Sequence, residues 1–252
     1  KALRRGRVLV LGGWSPGPLD VLRERMSGEV DFEEPSIPMP PSGLRWCLNP
    51  CWLLLLLLLF CLLPWVMMMA GPWTGTGSVS LAWLLRAGFL LLGIVVARLL
   101  LASLVRFAIR DSLCVAGHYV RAWRPDVVIG FSWGGGVAAW LLAERGWEGP
   151  AMLLAPTVRK MRNIMICAPL PMVPGNCGSV PVQVFQAEGD PFCPDAQFRD
   201  FGDAGCEVHR VSDNHVLCCR RTLVEIEECL RRLLAEGMAA SSTEASEVSE
   251  VE

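Results

Sequence analysis

VVIGFSWGGGVAAW, Val127–Trp140, decides what kind of chain this is. It begins as a short β-branched apolar run and continues as small residues suited to a helix, so strand passes into helix across Ser132. At that junction Gly130-Phe131-Ser132-Trp133-Gly134 spells G-x-S-x-G. A serine on so tight a strand-to-helix turn has strained backbone geometry, and its neighbours must lack side chains to avoid collisions. Gly130, Gly134 and Gly135 meet that need, and Ala138 keeps the next helical turn small against the strand. The helix N-terminus beneath the serine favours negative charge developing there. A phosphate loop would end in Lys-Ser or Lys-Thr, and this run does not.

On either side, apolar runs alternate with helical patterns. RVLVLGGW (Arg7–Trp14), PDVVIGF (Pro125–Phe131), AMLLAPT (Ala151–Thr157) and VPVQVFQAEGD (Val180–Asp190) read as strands. EVDFEEPSIP and CEVHRV (Cys206–Val211) are weaker or shorter ones. SPGPLDVLRERM has a serine cap, an early proline and helical spacing at Leu19, Leu22 and Met26. DSLCVAGHYVRAW, GGVAAWLLAERG and TLVEIEECLRRLLAEG (Thr222–Gly237) complete the helices, the first of them a continuation of the apolar stretch before it. Strands separated by helices predict an α/β fold, a three-layer and mostly parallel sheet. The acidic tail AASSTEASEVSEVE is expected to be disordered.

A nucleophilic serine needs a base, and the base needs a carboxylate to fix its tautomer. Of three histidines, His118 falls on a predicted helix and His209 within a strand. His215 lies in the polar loop Ser212-Asp213-Asn214-His215 just after that strand, free to reach a site at the strand ends, and is preferred. For the acid, Asp190 stands at the turn that ends a strong strand, with Glu188 and Asp195 as alternatives. Read blandly, Asp190 is only a turn former before Pro191.

The order Ser132, Asp190, His215, each just past a predicted strand, resembles that of the α/β-hydrolase superfamily. GFSWGGGVA, VQVFQAEGDPFCP and SDNH are similar to its nucleophile, acid and histidine segments, over residues 7–34 and about 111–237. The resemblance implies a serine hydrolase that works through an acyl-enzyme and uses no cofactor or metal. VLVLGGW resembles the early strand whose following backbone N–H helps hold the oxyanion, although Gly12 replaces the usual histidine. The N–H groups of Trp14 and Trp133 would then be the oxyanion donors.

The chain has 252 residues, 52% hydrophobic and only 19% charged, with a net charge of −2. That excludes wholesale disorder and leaves no basic field for nucleic acid. The apolar excess sits between Cys51 and Phe107. CWLLLLLLLFCLLPWVMMMA, Cys51–Ala70, is twenty uncharged residues, the length of a bilayer crossing. After GPWTGTG a second segment, Ser78–Phe107, is long enough to cross but carries Arg86 and Arg98. A mid-bilayer arginine costs about 2.5–3.5 kcal/mol on insertion scales. Arg45, Arg106 and Arg110 outside the two ends place both ends in the cytosol. The organisation expected is therefore 1–46 and 109–238 as two parts of one catalytic domain, 47–108 as an inserted transmembrane hairpin, and 239–252 as the tail. Parallel sheets place their sites at the carboxyl ends of the strands, where strand-to-helix connections also leave. The hairpin is thus expected on the catalytic face, with the bilayer as partner and a lipid or acylated amphiphile as substrate. A non-catalytic membrane scaffold of the same fold is the alternative. Eleven cysteines without paired zinc-type spacing suggest reduced thiols facing the cytosol, and the adjacent Cys218 and Cys219 suit neither zinc nor C-x-x-C redox chemistry. A chain beginning at Lys1 is expected to be a processed or partial form.

Overall fold

The computed structural model describes residues 4–39, 79–165 and 181–249. Six strands form one parallel sheet: β1 Gly6–Leu11, β2 Val30–Glu33, β3 Val127–Phe131, β4 Ala151–Leu154, β5 Val182–Ala187 and β6 Glu207–Val211. Their order is β2-β1-β3-β4-β5-β6, with every neighbouring pair parallel. The helices are α1 Leu19–Met26, α2 Val79–Trp123, α3 Trp133–Ala143, α4 Val158–Met165, α5 Asp195–Asp203 and α6 Arg220–Ser249. This is the α/β arrangement that the alternating sequence predicts.

β3, β4 and β5 are buried along their whole length, as strands covered on both faces must be. On one face Val8, Val10, Ile129, Met152, Leu154 and Phe185 meet Leu22 and Met26 of α1 and Ile226, Leu230 and Leu233 of α6. Each such side chain contributes about 1.5–3 kcal/mol by leaving water. The entry of the sheet is tied by Asp126, whose carboxylate accepts the Arg7 N–H at 2.8 Å and Arg4 Nη2 at 2.9 Å. A parallel sheet ends all its strands on one side, so the loops after β3, β5 and β6 gather there.

Several local expectations differ from the structure. Ser15 does not cap α1: Pro18 precedes its first turn, with no side-chain cap bond. Gly17, at φ +53°, turns the chain there, and a side chain on it would run into Phe131. The helices α4 and α5 are additions to the expected elements: α4 is only eight residues long, with its buried stripe at Val158, Met161 and Met165, and α5 buries the polar Gln197 beside Phe201. The expected disordered tail is also corrected, since α6 continues to Ser249. Its packed first half provides the nucleus, and Ala239, Ala240, Glu244, Ala245 and Glu247 then extend it at little cost.

The chain divides into two compact units. One is Lys1–Met39, Ile109–Asn163 and Cys167–Glu252; the other is Pro40–Ala108 with Ile164–Ile166. In the second, α2 exposes Leu91, Leu92, Ile94, Val95, Leu99 and Phe107. Its stretch Leu91–Trp123 is long and apolar enough to cross a membrane. At 1.5 Å per residue those 33 residues span about 50 Å, more than a hydrocarbon core. A helix of this kind also occurs as the core of a soluble protein. The first expected crossing, Cys51–Ala70, and the turn after it lie outside the described residues, so the hairpin is reduced here to a single apolar helix. α2 ends where Arg124 adopts φ +50° and Pro125 forbids continuation.

Candidate active site

Ser132 lies between β3 and α3 with φ 52° and ψ −112°, a strained backbone for a residue with a side chain. Two glycines make that turn possible. A Cβ on Gly134 would stand 1.9 Å from the Leu11 carbonyl oxygen, and one on Gly130 would meet Gly135 Cα at 2.7 Å and Ala138 Cβ at 2.8 Å. The turn is pinned from outside as well. The Ser132 N–H donates to Leu154 O at 2.9 Å, while its own carbonyl accepts from Gly136 N, Thr157 N and Thr157 Oγ1 at 3.0, 3.2 and 3.2 Å.

The other two side chains arrive on loops that hold themselves. After β5 the Asp190 carboxylate accepts the Phe192 N–H at 2.8 Å, and Gln186 Nε2 donates to the Cys193 carbonyl. After β6 Asn214 Oδ1 accepts the Val216 N–H at 2.9 Å and Asp213 Oδ2 accepts the Cys219 N–H at 2.8 Å. Between those bonds stands His215. Its Nδ1–H donates to Asp190 Oδ2 at 2.6 Å, which leaves Nε2 as acceptor for the Ser132 hydroxyl at 2.9 Å. The ring lies against Phe192, with centroids 4.8 Å apart, and near Phe131 at 5.8 Å.

The Asp190 side chain is 0% exposed. Burial alone would raise its pKa, but the bond from His215, the Phe192 N–H, the imidazole charge and the Cys193 thiol outweigh it. The carboxyl is held below its ordinary value, so it stays ionised beside the ring. Cys193 is fully buried three residues further on, and its thiol is pushed up by burial first and by the Asp190 charge second. Asp190, Cys193 and His215 together place one ligand atom each within 4.8 Å of one another, the one such metal-competent group among the described residues.

Of the alternatives, His209 on β6 meets Glu225 of α6 and Gln183 of β5, and His118 stands on α2 beside Tyr119. Asp195 belongs to α5 and pairs with Arg210 at 2.9 Å, while Glu188 is exposed. None of them meets Ser132. Trp133 follows the serine directly, and Gly13 packs against it, since a Cβ there would lie 2.9 Å from Ser132 Cβ. Trp133 thus follows Ser132 in the chain, and Trp14 follows Gly13, the residue packed against it. The Trp133 indole donates to Pro38 O at 3.1 Å, which ties the segment after β2 to this corner. Sequence reasoning passed over Phe192, Cys193 and Gln197. The unusual run Asp190-Pro191-Phe192-Cys193-Pro194 was the available signal for the first two. Nothing marks Gln197 as a buried residue.

No protein-family model and no curated protein matches the chain. Solved structures do. One from the metagenome-derived lipolytic enzymes LipS and LipT has a TM-score of 0.52 at 14% identity, over 92% of this chain and 94% of that one. A Thermus thermophilus protein matches with a TM-score of 0.50 at 13% identity, over 92% and 90%. A Bacillus cereus carboxylesterase matches at 0.47 and 15%, over 91% and 89%. At such identities the likeness concerns the fold, a parallel sheet of α/β-hydrolase type.

Proposed function

We propose that the protein is a membrane-anchored serine hydrolase that cleaves an ester or thioester of an amphiphilic acyl substrate through an acyl-enzyme. One observation carries this reading: two hydrogen bonds in series, from Ser132 through His215 to a buried carboxylate. In that arrangement Ser132 Oγ attacks the acyl carbonyl while Nε2 takes its proton, and Asp190 balances the imidazolium that forms. The backbone amides of Trp14 and Trp133 receive the oxyanion, each worth about 3–4 kcal/mol in related chemistry. His215 then protonates the leaving group, and in the second half it deprotonates the water that releases the acid.

An amphiphilic substrate is supported by what surrounds the pair. Trp14, Phe192 and Val216 are 65%, 45% and 39% exposed. Each lies next in sequence to a residue at the site or in ring contact with His215. Large apolar side chains grouped at a polar centre favour an acyl chain over a hydrophilic ligand. The apolar stretch Leu91–Trp123 supports the bilayer as the place of action. Cys218 and Cys219, exposed and without disulfides, suit a site facing the reducing cytosol. No nucleic acid partner is proposed.

A fluorophosphonate probe applied to membrane fractions tests the nucleophile. Labelling is expected in the intact chain and lost in Ser132→Ala and His215→Ala. A folded, membrane-inserted chain that fails to label would be a non-catalytic scaffold. Rates on esters of rising chain length, in liposomes and in detergent, test the substrate class. Equal rates in both, with no preference for long chains, would remove the amphiphile from the proposal.

A further inference from the structure

Beside the catalytic histidine lies a thiol for which acyl transfer has no use. Cys193 Sγ donates to the Pro156 carbonyl at 3.2 Å and also meets the Asp190 carboxylate. With Asp190 and His215 it makes a set of one sulfur, one carboxylate oxygen and one imidazole nitrogen, all within 4.8 Å of one another. That is a ligand set for zinc or cadmium. Donors bound at about 2.0–2.3 Å in a tetrahedral site stand roughly 3.3–3.8 Å apart. The 2.6 Å contact between His215 Nδ1 and Asp190 Oδ2 therefore has to open by about 1 Å or less, and the sulfur, within 4.8 Å of the other two donors, has to close by about 1.5 Å at most.

We propose that Asp190, Cys193 and His215 form an inhibitory site for a thiophilic divalent cation of the zinc type, which enters in place of the Asp190–His215 hydrogen bond. Charge balance favours it: a carboxylate and a thiolate neutralise a dication, so the buried centre carries no net charge. The Gln197 amide, on Pro156 O at 2.6 Å and beside the sulfur, supplies an N–H donor to the thiolate. It also keeps the Pro156 carbonyl satisfied once the thiol proton has gone. Access is along His215, whose side chain is 19% exposed.

The protons balance. The Cys193 S–H proton passes to solvent as the metal–sulfur bond forms. His215 gives up its Nδ1 proton to bind the ion there and takes one at Nε2, with no net change on the ring. Nε2–H then donates to Ser132 Oγ where before it accepted, and the serine has no base. This loss of activity rests on the hydrolase reading above; the binding itself does not.

Cobalt(II) and zinc(II), added to the full-length chain in detergent, give two separate readouts. A thiolate-to-cobalt charge-transfer band in the near ultraviolet and one calorimetric zinc site are expected. Both are lost in Cys193→Ser, weakened in Asp190→Asn, and kept in a Cys218→Ser/Cys219→Ser double variant. Circular dichroism and melting of each variant separate loss of ligand from loss of fold. Zinc is expected to slow fluorophosphonate labelling of Ser132 by roughly tenfold or more, reversed by a chelator. A band that persists in folded Cys193→Ser, or that vanishes with Cys218 and Cys219, overturns the proposal in favour of surface thiols. So does the absence of any zinc site in the unaltered chain. A Cys193-dependent band in a chain that never labels would instead keep the metal site and overturn the hydrolase.

Discussion

His209 and His215 stand on β6 and in the loop just after it, and each ring meets a carboxylate, yet only His215 also meets a hydroxyl. His209 Nδ1 faces Glu225 Oε1 at 3.2 Å, and its Nε2 faces Gln183 Oε1 at 2.7 Å. The Gln183 amide nitrogen is engaged by Glu207 at 2.7 Å, which fixes the oxygen toward the ring. Both nitrogens of His209 therefore face protein oxygens, and neither faces a hydroxyl. The ring stacks on Phe185, with centroids 4.3 Å apart, as a packing residue would. His215 has an acceptor on one nitrogen and a hydroxyl on the other. Their carboxylates differ too: Glu225 is 44% exposed and screened by water, whereas Asp190 is 0% exposed. A histidine next to a carboxylate is thus a common structural pair. It becomes a base when the second nitrogen points at a nucleophile and the carboxylate is dry.

The largest effects should separate the two rings. Ser132→Ala or His215→Ala is expected to lower kcat by about 10⁶-fold on a chromogenic ester, while His209→Ala stays within about threefold. A comparable loss in His209→Ala would break the distinction. Next comes the acid: Asp190→Asn should cost about 10⁴-fold, because an amide can hold the ring in the wrong tautomer. Glu225→Gln, measured in the same assay, should cost little.

A smaller set of effects reads stability. Gly134→Val drives a side chain into the Leu11 carbonyl, and chemical denaturation should show a loss of about 3 kcal/mol or more. The pH dependence sharpens the contrast between the carboxylates. The Asp190 carboxyl is depressed in the fold, so it binds fewer protons there than in the unfolded chain. Its contribution is fully present above the ordinary carboxylate range near about pH 4 and is lost as pH falls through the lower folded value. The difference in Tm between the unaltered protein and Asp190→Asn should therefore shrink on acidification below about pH 4. A difference that stays constant there would mean the carboxylate is not specially stabilised.

How legible each part was depended on how local its cause is. The strand runs and the Gly130–Gly134 turn carry their reasons within a few residues, and they could be read directly. α5 could not, since its buried residues are Gln197 and Phe201, and one of these is polar. Gln197 is inside because its amide bridges the Arg159 N–H at 2.9 Å and the Pro156 carbonyl at 2.6 Å, partners in the first turn of α4 and in the loop just before it. The end of α6 was misread from composition, because acidity and small size suggest disorder while the same alanines and glutamates extend a helix already begun.

By itself the sequence determined the α/β alternation, the serine on its glycine-flanked turn and the chain order of serine, acid and histidine. Short-range sterics and hydrophobic runs suffice for those. Tertiary structure alone decided that Nε2 of His215, the histidine the sequence already favoured, meets Ser132, that Asp190 is shut away from water, and that Cys193 lies beside both. Residues 132, 190 and 215 are brought together by the parallel register of β3, β4, β5 and β6, which ends their loops on one side of the sheet. Hydrogen-bond direction and burial are properties of that shared edge, and no single segment of the chain contains them.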